Sequence, residues 1–256
     1  MKNSERMYHI GLTKDDLCGA RHAILPGDPA RLDKIVPFLE NVKEEGFNRE
    51  YRSITGCYKG LKILGMSTGM GGVSAAIGIE ELKRIGVEAA IRIGSCGALQ
   101  PDISVGDIII SAGCVRDDGT SNCYVKAGYP AVPDTDMLQA CLRAAEGLDA
   151  TCHVGITRSH ESFYAEAENQ LEPYWQQQGI LADDMETAAV FVVGRLRALK
   201  CAAVLNTVVA LRGDKASGIG AYADGADAAA AGERAEILLA LETLRIYDEI
   251  YRCHCK

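Results

Sequence analysis

The stretch Ala90-Ile91-Arg92-Ile93-Gly94-Ser95-Cys96-Gly97-Ala98 decides how this chain is read. An apolar run takes in a single arginine and then breaks into small residues. Arginine within a core-strand pattern is costly unless an anion or a carboxylate pairs with it. The glycines let backbone N–H groups approach a ligand closely. The segment therefore reads as an anion pocket at the carboxyl end of a buried strand, where open α/β sheets bind ligands. A structural arginine paired to a core carboxylate fits the same residues.

Two further segments bear on that choice. In Leu25-Pro26-Gly27-Asp28-Pro29-Ala30-Arg31 an apolar strand ends in Pro-Gly, with Asp28 at an N-cap position and Pro29 in the first helical turn. Gly27 can open its backbone toward a phosphate, the helix N-terminus supplies dipole and free N–H donors, and Arg31 reaches the same anion. An ordinary strand–turn–helix connection with a solvated Arg31 reads equally well. The second segment, Asp183-Asp184-Met185-Glu186-Thr187-Ala188-Ala189, opens a helical pattern that runs to about Leu199. Acidic residues suit a first helical turn by dipole matching alone. The functional reading puts Glu186 in a cleft, its two acceptor oxygens gripping a vicinal diol.

The remainder alternates strand and helix patterns without a Pro/Gly/Ser-rich linker, a repeat or a second domain, so residues 1–256 read as one α/β domain. Strand-like runs lie at 23–25, 51–55, 61–67, 89–93, 107–112, 152–157 and 202–209, and helical patterns at 30–38, 73–84, 135–145, 185–199 and 226–251. Gly69-Met70-Gly71-Gly72 sits between a strand and a helix, as a phosphate or ribose neighbour should, although tight packing explains such a loop equally. Residues 213–225, with four glycines among small and polar residues, read as a mobile flap.

Composition narrows the function. The chain is 48% hydrophobic with a net charge of −8 and no basic run, which argues against nucleic-acid or anionic-membrane partners. No stretch approaches the ~20 apolar residues of a membrane span, and the N-terminal residues show no signal-peptide pattern. The ten cysteines lack CxxC pairs and matching histidine spacing, so they read as reduced core fillers rather than zinc ligands. Cys253-His254-Cys255 reads as a frayed tail rather than a metal clip.

The segments PGDPAR (26–31), STGMGG (67–72), RIGSCGAL (92–99) and DDMETAA (183–189), in this order, resemble the nucleoside phosphorylase-I family, nearest its uridine phosphorylase branch. The similarity runs from His9 to the last long helix. It implies a single-domain three-layer α/β/α fold with a central mixed, partly barrel-like sheet. It also implies a cytoplasmic salvage enzyme, a homo-oligomer built as a hexamer from a trimer of dimers. The reaction it implies is reversible phosphorolysis: phosphate attacks the anomeric carbon, the base leaves, and inversion yields ribose 1-phosphate. Inorganic phosphate is then a co-substrate and no cofactor is needed. By the same resemblance Gly27, Arg31, Arg92 and Ser95 hold phosphate, with Arg49 donated by the neighbouring subunit. His9 crosses the same interface to the ribose 5′-hydroxyl, Met185 packs on the sugar, and Glu186 holds the 2′- and 3′-hydroxyls. A K+ ion at the dimer interface would be held partly by Glu50 and Ser74. Since phosphate is the nucleophile, no side chain needs to be one.

The base is the harder matter. Cys96, Gly97, Phe163, Asp184, Val208 and Val209 are the expected lining. Ala210 stands where the hexameric purine branch carries an aspartate that protonates the purine ring nitrogen. Uridine phosphorylases read the uracil edge with a glutamine and an arginine, whose matching positions here are Ala167 and Asn169; Asn169, Gln170 or Arg212 are the candidate substitutes. Leaving a base edge unpaired costs about 1–3 kcal/mol per group. Uridine is the expected substrate. A purine or modified nucleoside, or a nucleoside hydrolase on the same fold, are the alternatives.

Overall fold

The computed structural model describes residues 5–211 and 227–254. Residues 213–225, Arg212, Cys255 and the side chains of Asn169, Cys253 and His254 lie outside what it describes. The chain forms β1 (His22–Pro26), α1 (Arg31–Ile35), β2 (Glu40–Asn48), β3 (Tyr51–Tyr58), β4 (Leu61–Met66), α2 (Gly72–Ile85), β5 (Ala89–Ala98), β6 (Ile108–Asp117), α3 (Gly119–Tyr124), α4 (Thr135–Ala145), β7 (Cys152–His160), α5 (Glu168–Gln177), β8 (Ala182–Asp184), α6 (Thr187–Leu196), β9 (Lys200–Val209) and α7 (Asp227–His254).

β1 is buried at every position and β5 at all but Ser95 and Gly97, the mark of strands covered on both faces. Alternation along them sorts the core into two layers. Ala23, Leu25 and Ala90 pack with Ala75 and Ile79 of α2 and Val190 and Phe191 of α6. Ile24, Ile91 and Ile93 pack on the other side with Met137 of α4 and Leu241 and Leu244 of α7. Helices thus cover both faces of one mixed sheet, in three layers.

The sheet order is β2-β3-β4-β1-β5-β8-β7-β6-β9, and β9 returns to pair with β5. Five strands, β5-β8-β7-β6-β9, therefore close into a ring, and β1, β4, β3 and β2 extend from β5 as a flank. β5 is the strand common to both. It runs parallel to β1 from Ala89 to Ile93 and parallel to β9 along most of its length, and turns antiparallel to β8 at Gly97 and Ala98.

Four elements escape the sequence reading for physical reasons, the first being α3, six residues with no apolar period. β2 is an exposed, highly charged edge strand with register shifts against β3. β8 is only three residues long, and α5 is polar with Pro173 inside it. The helical pattern expected from residue 185 begins later: Asp183 and Asp184 end a strand, Glu186 is the N-cap, and α6 starts at Thr187.

Candidate active site

β5 loses one neighbour before it gains the next. Ile93 is its last partner of β1, opposite Pro26, and Gly97 its first partner of β8, opposite Asp183. Gly94, Ser95 and Cys96 keep β9 on one side only. Such a divergence of strands leaves a crevice at their carboxyl ends. Ser95 and Gly97 are partly exposed there.

Arg92 lies just below the crevice, 3% exposed. Its Nε donates to Asp184 Oδ2 at 2.9 Å, and its Nη2 pairs with Glu186 Oε2 at 2.5 Å. Both expectations for this arginine meet here: it is carboxylate-paired, yet Nη1 makes no hydrogen bond to a described residue. Asp184 is saturated. It also accepts from Ser159 Oγ (2.5 Å), Thr187 N (3.0 Å) and Thr187 Oγ1 (2.5 Å). Glu186, at the N-cap of α6, reaches back to accept from the Gly71 N–H of the Gly69–Gly72 loop at 2.5 Å. Burial pushes its carboxyl upward, opposed by Arg92 and the Gly71 N–H. Met185 beside it is partly exposed.

On the opposite side of β5, Arg31 of α1 donates from Nη2 to Ser95 Oγ at 3.0 Å and from Nε to Glu233 Oε1 at 2.9 Å. Glu236 of α7 accepts from Gly94 N at 2.6 Å, and its other oxygen lies 3.6 Å from Arg31 Nη1. Burial raises the Glu236 carboxyl to about 7, against the pull of Arg31, the Gly94 N–H and Arg92. Arg31 and Arg92 thus both act on one buried carboxyl. Gly27 joins the group through its backbone: its carbonyl accepts from Gly69 N at 2.9 Å, and a Cβ on Gly27 would lie 3.2 Å from the Gly69 carbonyl. Asp28 caps the turn into α1 by accepting from Ala30 N at 2.9 Å. The sequence-expected anion residues Gly27, Arg31, Arg92 and Ser95 are therefore gathered about the end of β5.

Among the expected base-lining residues, Cys96 is buried with its thiol 3.7 Å from Thr207 Oγ1, and burial pushes that thiol upward. Val208 and Val209 end β9 and pack with Ala229 of α7. Phe163, partly exposed, stands edge-on to Tyr164. Three charged or titratable side chains that the sequence reading did not single out, Arg158, His160 and Glu168, lie alongside, together with Asp183. Arg158, 1% exposed, holds Glu168 through two nitrogens (2.7 and 3.1 Å) and Asp117 at 2.6 Å, and lies over the Trp175 ring. His160 Nδ1 is 3.9 Å from Glu168 Oε1, and its Nε2 is 3.8 Å from Asp183 Oδ2. The clue was available: Arg158 and His160 interrupt a strand pattern much as Arg92 does.

The residues expected to cross a subunit boundary sit elsewhere. His9 Nδ1 is 2.7 Å from Glu81 Oε1, and Arg49, exposed with φ 57°, lies over the Tyr8 ring. Beside them is a surface groove of about 520 Å³ lined by Tyr8, Phe47 and Asn48. Tyr8 and Phe47 are 74% and 63% exposed, and Met70 and Val73 of the glycine loop and α2 are 88% and 60% exposed. Glu50 and Ser74 meet at Gly69: both lie within 3.3 Å of where its Cβ would stand.

The model of the phosphorylase superfamily matches residues 21–242. A guanosine phosphorylase of Halorubrum lacusprofundi is 42% identical over 71% of this chain and 75% of its own. A uridine phosphorylase of Thermococcus kodakarensis is 50% identical over 61% of this chain and 56% of its own. The solved uridine phosphorylase of Vibrio fischeri ES114 superposes with a TM-score of 0.87 at 39% identity, covering 96% of this chain and 99% of that one.

Glu236 gives the site a pH signature. Its carboxyl holds a proton more tightly in the folded chain, near 7, than at its ordinary value of 4.5. Folding is therefore progressively disfavoured as pH rises from about 4.5 through about 7, by on the order of 3 kcal/mol. Glu236→Gln removes that slope. Thermal melts of both proteins from pH 5 to pH 8 should show the variant gaining on the wild type as pH rises; parallel curves would refute the assignment.

Proposed function

The chain belongs to the phosphorylase superfamily, and from that membership we propose that it catalyses reversible phosphorolysis of a nucleoside, with uridine as its substrate. The observation that carries the reading is the pairing at the end of β5 of two buried guanidiniums, Arg31 and Arg92, with the diol-gripping candidate Glu186 bonded to one of them.

In this reading, Gly27, Arg31, Arg92 and Ser95 hold a phosphate dianion, with Arg49 of a neighbouring subunit completing the cradle. Several fixed donors aim the nucleophile, which is worth more than one salt bridge. A phosphate oxygen attacks the anomeric carbon as the C–N bond breaks, and the bonding pair leaves with the base. Positive charge gathers on the sugar beside Glu186, which also accepts from the 2′- and 3′-hydroxyls, so its carboxylate stabilises the transition state most. Met185 packs on the sugar. Cys96, Gly97, Phe163, Val208 and Val209 shape a slot for a flat base; Asp184, expected to line the base, is instead taken up by Arg92, Ser159 and Thr187. A water nucleophile would need no such set of cations, which favours phosphorolysis over hydrolysis.

The same reading makes the protein a homohexamer, a trimer of dimers acting in cytoplasmic nucleoside salvage. Exposed Tyr8, Phe47, Met70 and Val73 around His9 and Arg49 support a subunit contact there. Glu50 and the Ser74 hydroxyl, which bonds the carbonyls of Met70 and Gly71, offer hard oxygens that fit a K+ ion. A second reading, guanosine as substrate, is favoured by the carboxylates Asp183 and Glu168 beside the base slot.

Release of free base from uridine, thymidine, cytidine, inosine, guanosine and adenosine, with and without phosphate, tests the activity. Uridine should be cleaved fastest and only with phosphate. Equal release without phosphate would establish a hydrolase, and faster cleavage of inosine or guanosine would overturn the uridine assignment. In the same assay Glu186→Gln should lower kcat by about 10²–10³-fold while the protein stays folded; an unchanged kcat would remove Glu186 from the sugar site.

Subunit sharing has its own test. Arg49→Ala and Glu186→Ala proteins, each inactive alone, should regain part of the wild-type rate after unfolding together and refolding as mixed oligomers. Mixed oligomers that stay inactive would show that each protomer holds a complete site.

A further inference from the structure

Four side chains beside the base slot have no part in the mechanism above: Arg158, His160, Glu168 and Asp183. All four are at least nine-tenths buried. They sit at the mouth of the closed ring. Asp183 is the β8 residue opposite Gly97, and its Oδ1 lies 2.7 Å from where a Cβ on Gly97 would stand. Only glycine at 97 lets that carboxylate lie against the end of β5, next to Cys96. His160 ends β7, three residues before Phe163.

Among the described residues His160 makes no hydrogen bond, and its buried Nδ1 has no hydrogen-bond partner. Burying an imidazole without a partner costs free energy, and Nε2, the nitrogen that faces Asp183, is the one a ligand edge set between the two groups would complete. Its two nitrogens face Glu168 Oε1 and Asp183 Oδ2 across 3.9 and 3.8 Å, just beyond hydrogen-bond reach. Arg158 grips Glu168 through two nitrogens, which fixes one wall of this group. The positions that would carry a uracil-reading glutamine and arginine are Ala167 and Asn169, and the first cannot hydrogen-bond by its side chain.

Resting on the phosphorolysis reading, we propose that His160 and Asp183 are the specificity-determining pair that reads the base, by recognising a carbonyl next to a ring N–H. The Asp183 carboxylate is acceptor-only and takes the N–H, while His160 donates from Nε2 to the neighbouring carbonyl oxygen. Arg158 and Glu168 are positioning residues that hold the histidine's surroundings. Uracil, guanine and hypoxanthine present this edge. Cytosine and adenine present an amine and a bare ring nitrogen, which leave both protein groups mispaired.

Trp175, the chain's single tryptophan, has the Arg158 guanidinium 5.5 Å from its ring centre and so reports on the cluster. Its fluorescence is followed while uridine, guanosine, cytidine and adenosine are titrated, without phosphate, into the wild type, Asp183→Asn and His160→Gln. The wild type should bind uridine or guanosine at least about tenfold more tightly than cytidine and adenosine. Each variant should lose about tenfold or more of that affinity, within the range for one unmade buried hydrogen bond. The KM for phosphate should stay within about twofold, which separates loss of base reading from general damage to the site. Equal binding of all four nucleosides by the wild type, or variants that keep its affinity and its preference, would overturn the proposal. Selective nucleoside binding without phosphate-dependent cleavage would instead sustain the pair and refute the phosphorolysis reading, since binding and turnover are measured separately.

Discussion

A guanidinium buried in a strand is the constraint from which the rest of this site follows. Arg92 stands where β5 would otherwise carry another aliphatic side chain, and it is stable there only because Asp184 and Glu186 come to it. Breaking such a buried pair costs about 3–5 kcal/mol, because one partner is left charged and unsolvated. That penalty fixes the segment from β8 to the first turn of α6. Asp184 passes the constraint on to Ser159 of β7 and Thr187 of α6, and Glu186 passes it to the backbone of the loop before α2. One charge thus ties four elements to the end of one strand.

The sheet supplies the opening. Because β5 belongs both to the closed ring and to the flanking strands, its two neighbours part at Gly94–Cys96, and side chains from both faces reach the same gap. Arg92 approaches from the α2/α6 layer and Arg31 from the α1/α7 layer. Each is already matched by carboxylates, Asp184 and Glu186 on one side and Glu233 and Glu236 on the other. The end of β5 therefore presents acidic groups as well as cations, and burial pushes one of those carboxyls, Glu236, up to about 7.

Much of this was legible in the sequence, for identifiable reasons. An arginine in an apolar strand is conspicuous, and Pro-Gly-Asp-Pro and the glycine loops mark strand ends, so the residues that gather at the end of β5 and the order of most elements follow from pattern. The helix over Thr135–Ala145 has the expected bounds, since its amphipathic period and its Asp134 cap agree. What was not legible depends on partners distant in sequence. Asp183 and Asp184 look like helix-capping acids, yet they form a strand because β5 and β7 both offer them a ladder. Their alternation then sends one toward Arg92 and the other toward His160. Glu233 and Glu236 lie in a helix whose pattern says only that it is amphipathic. Nothing local shows that they close onto Arg31 some 200 residues away.

The central claim is that Arg31, Arg92, Ser95 and Gly27 form one anion site at the end of β5. A crystal structure of the protein soaked with phosphate measures this most directly. The account predicts a tetrahedral anion within hydrogen-bond distance of Ser95 Oγ, Arg31 and Nη1 of Arg92, with the Gly27 backbone against it. Phosphate absent from this crevice at saturating concentration, or bound with both arginines still turned wholly to their carboxylates, would contradict it.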